Sequence, residues 1–310
     1  MTLALTDPIT PAHPWSDAEW LHKPERGSRF LLRLMLWISK RMGRRAAHMV
    51  LRLIAAYFLC FAPVARYGSR LYLARILRRP VRIRDLYRHF LTFAVTIHDR
   101  VYLLGDEVSS FTIQSHLSKE MEHAIVEARG ALLVGAHLGS FEVLRSVGQQ
   151  YPGLSIVAVM YEENARKINT ALSRIKATTP PQVIPLGRPD TMLRVQEQLG
   201  KGALVGFLGD RSVGSERKQP IRFLGDMAHW PSGTFRIAAI LQRPLFFMAG
   251  LYTGPGKYEI FLKQIADFTA VEPAGREEAI RNAMINYVKE VEYHCHLAPY
   301  NWFNFYDFWS

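Results

Sequence analysis

The sequence predicts an α/β protein: a mostly parallel central sheet flanked by helices, preceded by a basic, apolar helical N-terminal region. Three observations carry this. From Ala131 onward, short continuous apolar runs alternate with amphipathic stretches, the pattern of a parallel sheet covered on both faces. Before residue 105, apolar residues recur at helical spacing instead. Charge is also unevenly placed: residues 1–100 hold 18 Lys/Arg and 6 Asp/Glu, and residues 101–310 hold 21 of each. The whole formal excess of +12 therefore lies in the first third of the 310-residue chain.

Along the chain, residues 1–24 carry prolines at 8, 11, 14 and 24 and read as a loosely held strap. Helices are expected over 28–62, with a break near Gly43, over 65–79, and over 84–104, where Leu86, Phe90, Phe93, Ile97 and Leu104 mark one face. Strands are expected at Ala131–Ala136, Ser155–Tyr161, Gln182–Pro185, Ala203–Leu208 and Pro244–Gly250. Helices are expected over 140–150, 164–176, 189–200, 232–242 and 276–293. A boundary at 105–118 divides the chain into a membrane-associating N-terminal region, 1–104, and an α/β domain, 105–310.

Composition narrows the class. A 49% hydrophobic content excludes disordered, collagen-like and coiled-coil chains. Cys60 and Cys295 are far apart and form no C-x-x-C, so no disulfide framework or structural metal site is expected. From Arg26 to Arg84 there are fifteen basic residues, no acidic one, and many Leu, Ile, Phe and Trp. A spanning helix needs about 20 apolar residues, whereas the run Leu53–Ala65 contains Pro63 and is bracketed by Arg52 and Arg66. A nucleic-acid arm is less apolar, and no nucleic-acid module signature occurs. The mixture suits an anionic membrane surface, where apolar burial and charge attraction add. Residues 1–20 contain three acidic residues and no apolar core of a cleavable leader.

In open α/β sheets, ligands sit beyond the carboxyl ends of strands, which directs attention to His137, just past the Ala131–Ala136 run. Glu142 follows five residues later; on a continuous helix it would lie about 140° away, so the pair meets only if His137 precedes the helix. In that geometry Glu142 fixes the imidazole tautomer and leaves the second nitrogen as a general base. A capping histidine beside a surface glutamate is the alternative. Asp210 and Arg211 follow the Ala203–Leu208 run; either they pair with each other or Arg211, with Arg217, Lys218 and Arg222 nearby, holds an anion. Pro231-Ser232-Gly233-Thr234 opens a helix whose N-H groups, with Arg236, would suit an anion or oxyanion, although a plain turn and cap explain it too. There is no G-x-S-x-G, Walker A or G-x-G-x-x-G element. His294-Cys295-His296 reads as helix packing, and the aromatic tail Trp302–Trp309 as a core or subunit anchor.

The ordered set His137-x4-Glu142, Asp210-Arg211, Phe223-Leu-Gly, Trp230-Pro-Ser-Gly and Pro299-Tyr-Asn-Trp302-Phe resembles the bacterial lipid A late (lauroyl/myristoyl) acyltransferases, of the lysophospholipid acyltransferase superfamily, over residues 130–305. The resemblance implies transfer of a fatty acyl chain from acyl carrier protein or coenzyme A to a lipid or glycolipid hydroxyl, or an amine, at the cytoplasmic face of the inner membrane. It also implies His137 as base and Glu142 as its orienting acid, with no metal or redox cofactor. Two departures stand out: Asp210-Arg211 replaces the family's usual Asp-Gln, and the N-terminal segment lacks a clean spanning helix. A non-catalytic lipid-binding protein of the same fold is the alternative function.

Overall fold

The structure is a computed structural model that describes residues 47–104, 108–161, 182–211 and 216–310. The helix expected over 164–176, and most of that over 28–62, lie outside the described residues. Two helices, α1 (Ala47–Phe61) and α2 (Pro63–Leu77), meet at a 95° bend. Pro63 opens α2, where its missing N-H costs nothing, and the Arg66 guanidinium donates to the Leu59 carbonyl at the end of α1 (2.7 Å). α3 (Ile83–Leu104) follows. Tyr72, Leu73, Ile76 and Leu86 of this helical region share one core cluster with residues of the sheet.

The body is a seven-stranded sheet of β1 (Thr112–Leu117), β2 (Ala131–Gly139), β3 (Ile156–Tyr161), β4 (Gln182–Leu186), β5 (Leu204–Leu208), β8 (Pro244–Gly254) and β9 (Lys257–Asp267). Their spatial order is β1-β9-β8-β2-β5-β3-β4, and β8 with β9 is the single antiparallel pair. β2 is central, and its residues Ala131 to Ala136 are all buried. Leu132, Val134, Ala136 and Leu138 join the cluster built with α8 (Arg276–Leu297). Ala131 and Leu133 join the opposite cluster with Met121 of α4 (Lys119–Val126) and with Val143, Leu144 and Val147. Burial on both faces is why the strand reads as a continuous apolar run.

β2 extends through His137 to Gly139, with a register irregularity between Gly135 and Gly139. Gly139 has φ +74°, and a Cβ there would stand 1.9 Å from the Gly250 carbonyl oxygen, so the turn requires glycine. Phe141–Leu144 then forms a 3-10 turn leading into the short α5 (Arg145–Gln150), in place of one helix over 140–150. α6 (Thr191–Gly200) and α7 (Gly233–Ile240) lie where the sequence puts helices. Outside the main sheet, β6 (Lys218–Phe223) and β7 (Asp226–Pro231) form a hairpin. Leu224 and Gly225 both have positive φ, the type I′ pattern, so Phe223-Leu-Gly is a hairpin corner.

Residues beyond α8 run back along the end of β2. Leu138 and Trp302 form an antiparallel bridge, the Phe303 N-H donates to the His137 carbonyl (2.7 Å), and the Gly139 N-H donates to the Asn301 carbonyl (2.9 Å). Trp302, Phe303 and Phe308 are buried, so the aromatic tail is a core anchor. His294 and Cys295 are buried in α8, with the His294 ring against Phe247 and Phe261, as expected of helix packing.

Candidate active site

Parallel pairing of β2 with β5 places the site. Gly135 lies opposite Leu208; continuing two residues along each strand brings His137 opposite Asp210, at the carboxyl edge where such sheets bind ligands. The His137 Nδ1-H donates to Asp210 Oδ1 (2.8 Å) and the His137 backbone N-H to Oδ2 (2.9 Å). Trp302 Nε1 donates to Oδ2 as well, at 3.4 Å. A buried carboxylate thus has donors on both oxygens, as burial demands.

With Nδ1 committed to Asp210, the proton sits there and Nε2 keeps its lone pair. The His137 side chain remains 32% exposed while that of Asp210 is 1% exposed. Burial, then the Arg211 charge, then that of Arg100 push the imidazole below its ordinary value, and Asp210 opposes them. For Asp210, burial pushes upward, but His137 and Arg211 outweigh it and hold the carboxyl down at about 2. At neutral pH the pair is an ionised carboxylate and a neutral imidazole.

The sequence pairs His137 with Glu142; in the structure the carboxylate on the imidazole is Asp210. His137 is still strand, aimed along the β5 edge, whereas Glu142 lies beyond the Gly139 turn, in the 3-10 segment. Glu142 is buried, with Oε1 bound by Nε and Nη2 of Arg100 from α3 and Oε2 accepting the Ser140 hydroxyl (2.8 Å). Arg211 stays with His137, its Nη2 donating to the Phe303 carbonyl (2.8 Å) and its guanidinium 5.6 Å from the Tyr306 ring.

The remaining expected anion ligands are bonded elsewhere. Arg236 makes a two-pronged ion pair with Glu277 (2.8 Å each), at the exposed start of α8. The Gly233 N-H donates to Glu216 Oε1 (2.7 Å), and both the N-H and the hydroxyl of Ser232 donate to the Arg217 carbonyl (3.1 and 2.9 Å). The start of α7 is therefore filled by the chain's own carboxylate. Arg222 donates to the Gly225 carbonyl at the hairpin corner (2.9 Å).

Sequence reasoning did not single out Arg100, Ser140 or the link from Trp302 to Asp210. The signal for Asp210 was present, since an apolar run ends two residues before it just as one ends shortly before His137, but only the strand order shows that these runs are neighbours. Among the described residues, His48, His98 and Asp99 form a separate group of metal-type donors, with ligand atoms within 4.8 Å of one another. Asp99 there accepts the Tyr258 hydroxyl at 2.9 Å.

A family model of bacterial lipid A biosynthesis acyltransferases matches residues 19–309, nearly the whole chain. No individual curated protein matches it.

Proposed function

Because the chain belongs to the bacterial lipid A biosynthesis acyltransferase family, we propose that it moves a fatty acyl chain from acyl carrier protein or coenzyme A to a hydroxyl, or an amine, of a membrane lipid or glycolipid, with His137 as general base. The observation that carries the role of His137 is its Nδ1 bond to buried Asp210 beside a ring that is one-third exposed; a ring sealed in apolar packing would favour a lipid binder without chemistry. Nε2 takes the acceptor proton as the acceptor oxygen attacks the thioester carbonyl. The C-S bond of the tetrahedral intermediate then breaks, and the leaving thiolate takes the proton from Nε2. The Gly139 and Ser140 N-H groups donate to Asn301 and Gly250, so the cationic environment of Arg211 is the better source of stabilisation for the oxyanion.

The reaction is read at the cytoplasmic face of the inner membrane. Among the described residues, no single helix is long and apolar enough to cross a bilayer, although the bent α1–α2 pair passes by length and composition. The reading is supported by an exposed apolar stripe along these helices, flanked by arginines. The decisive experiment is lipid mass spectrometry of a deletion strain complemented with wild type or His137→Ala. A lipid short by one acyl chain, restored by wild type alone, is expected; an unchanged lipid profile on deletion overturns the reading.

A further inference from the structure

The acid of the His-x4-Glu pattern has a partner that the sequence does not suggest. Glu142 is almost wholly enclosed, its side chain 7% exposed, and its Oε2 is fixed by the Ser140 hydroxyl from the same turn. Its Oε1 draws in the Arg100 guanidinium from α3, a helix more than thirty residues earlier in the chain. Arg100 itself is 34% exposed. A guanidinium carries five N-H donors, and Glu142 is its sole polar partner among the described residues, so one edge of the group is left facing solvent.

The carboxylate that holds Arg100 belongs to the 3-10 segment that follows the strand end carrying His137. Arg100 is also one of the two cations whose charge reaches the His137 imidazole. A guanidinium with one edge clamped by a buried carboxylate and the other open is preorganised for a planar, two-pronged anion contact. We propose that Arg100 is a substrate-binding residue of this site, positioned by Glu142 and Ser140, and that it takes a phosphate group. The inference rests on the acyltransferase reading, because two phosphates then come within reach: that of the donor's phosphopantetheine arm and that of a lipid headgroup. Glu142 is accordingly a positioning residue that acts through Arg100.

Binding to the full-length chain separates the two sources. The probes are palmitoyl-coenzyme A against palmitoyl-N-acetylcysteamine, which lacks phosphate, and detergent micelles doped with phosphatidic acid against micelles doped with diacylglycerol. Arg100→Ala is expected to weaken one phosphate-bearing probe roughly ten- to a hundred-fold and to leave its phosphate-free counterpart unchanged. Arg100→Lys should recover part of the loss. Glu142→Gln should weaken the same probe, and the double variant should be no worse than Arg100→Ala. Thermal unfolding identifies any variant that fails to fold, with Arg100→Lys then carrying the comparison. Equal affinities of the wild type and a folded Arg100 variant for all four probes overturn the inference, as does an equal loss with phosphate-free probes. A wild-type chain that consumes no thioester in the presence of inner-membrane lipid, yet binds phosphate through Arg100, overturns the acyltransferase reading alone.

Discussion

At His137 the tautomer decides the chemistry. Asp210 holds the proton on Nδ1, so removing the base and removing its orienting acid both strike the transition state. His137→Ala is expected to lower turnover about 10²- to 10⁴-fold while the fold survives, because a ring one-third exposed fills little core. Asp210→Asn should lower kcat over a comparable range with little change in KM, since an amide no longer enforces the tautomer. Steady-state kinetics of Asp210→Asn beside Glu142→Gln checks the assignment: a collapse of kcat in the glutamate variant, with the asparagine variant unharmed, returns the orienting role to Glu142. pH adds an independent handle. Burial and Arg211 lower the His137 pKa, so the neutral base persists below the ordinary histidine value, and the acid limb of kcat/KM should fall below about 6.5. Arg211→Ala should move that limb upward in a pH-rate profile.

Single elements show what the sequence reveals and why some features stay hidden. The largely buried strands β2, β3, β5 and β8 are legible as apolar runs, as is the edge strand β4, where only Ile184 is buried, although β2 continues to Gly139 and thereby keeps His137 in the strand. β9 alternates Lys257, Glu259, Lys263 and Asp267 with buried Tyr258, Ile260, Leu262 and Ile265, and one-sided alternation in a long strand is a fainter signal than a solid run. β1 is an edge strand with no buried residue. The β6–β7 hairpin turns on Leu224-Gly225 rather than Asn-Gly, and Pro220 argues against a strand. The tail is recognisable as aromatic, but not as the wall of the site. Its seam with α3 is itself testable at His89, whose Nε2-H donates to the Trp302 carbonyl (2.9 Å) while Nδ1 accepts the Ser69 hydroxyl (2.8 Å). Burial pushes His89 down to about 4. Between the unfolded value of 6.5 and about 4 the unfolded chain binds the proton and the folded chain does not, so lowering pH through this window removes stability. The loss reaches roughly 3 kcal/mol. Urea unfolding from pH 7 to 4 should show a smaller loss in His89→Gln than in the wild type, and parallel curves would refute the assignment.

For the whole molecule, strand order is what a linear reading lacks, because β2 gains its catalytic neighbour β5 only when the sheet assembles, and the tail then closes over both. Strand assembly does not explain the outward face of α1 and α2. Ala47 and Leu51 of α1 are buried in one cluster with Val95 of α3, yet Met49, Leu53, Tyr57 and Phe61 form a second, exposed stripe at four-residue spacing. Val64 and Tyr67 continue it past the bend. Arg52 and Arg70 are exposed on the same helices, and the described helical region contains no acidic residue before Asp85. Inserting a Leu or Phe side chain into a bilayer is worth about 1.5–3 kcal/mol, and each arginine near an anionic surface adds about 1 kcal/mol, weakened by salt. Apolar insertion and charge should therefore separate experimentally. In vesicle sedimentation, the full-length protein is expected to prefer anionic over neutral lipid, and high salt to reduce that preference without abolishing binding. Leu53→Ser with Phe61→Ser should weaken binding to both vesicle types at unchanged thermal stability, since both side chains are exposed. Arg52→Gln with Arg70→Gln should lower the anionic preference alone. Undiminished binding by the serine double variant would remove the stripe from the membrane contact and leave electrostatic attraction as its basis.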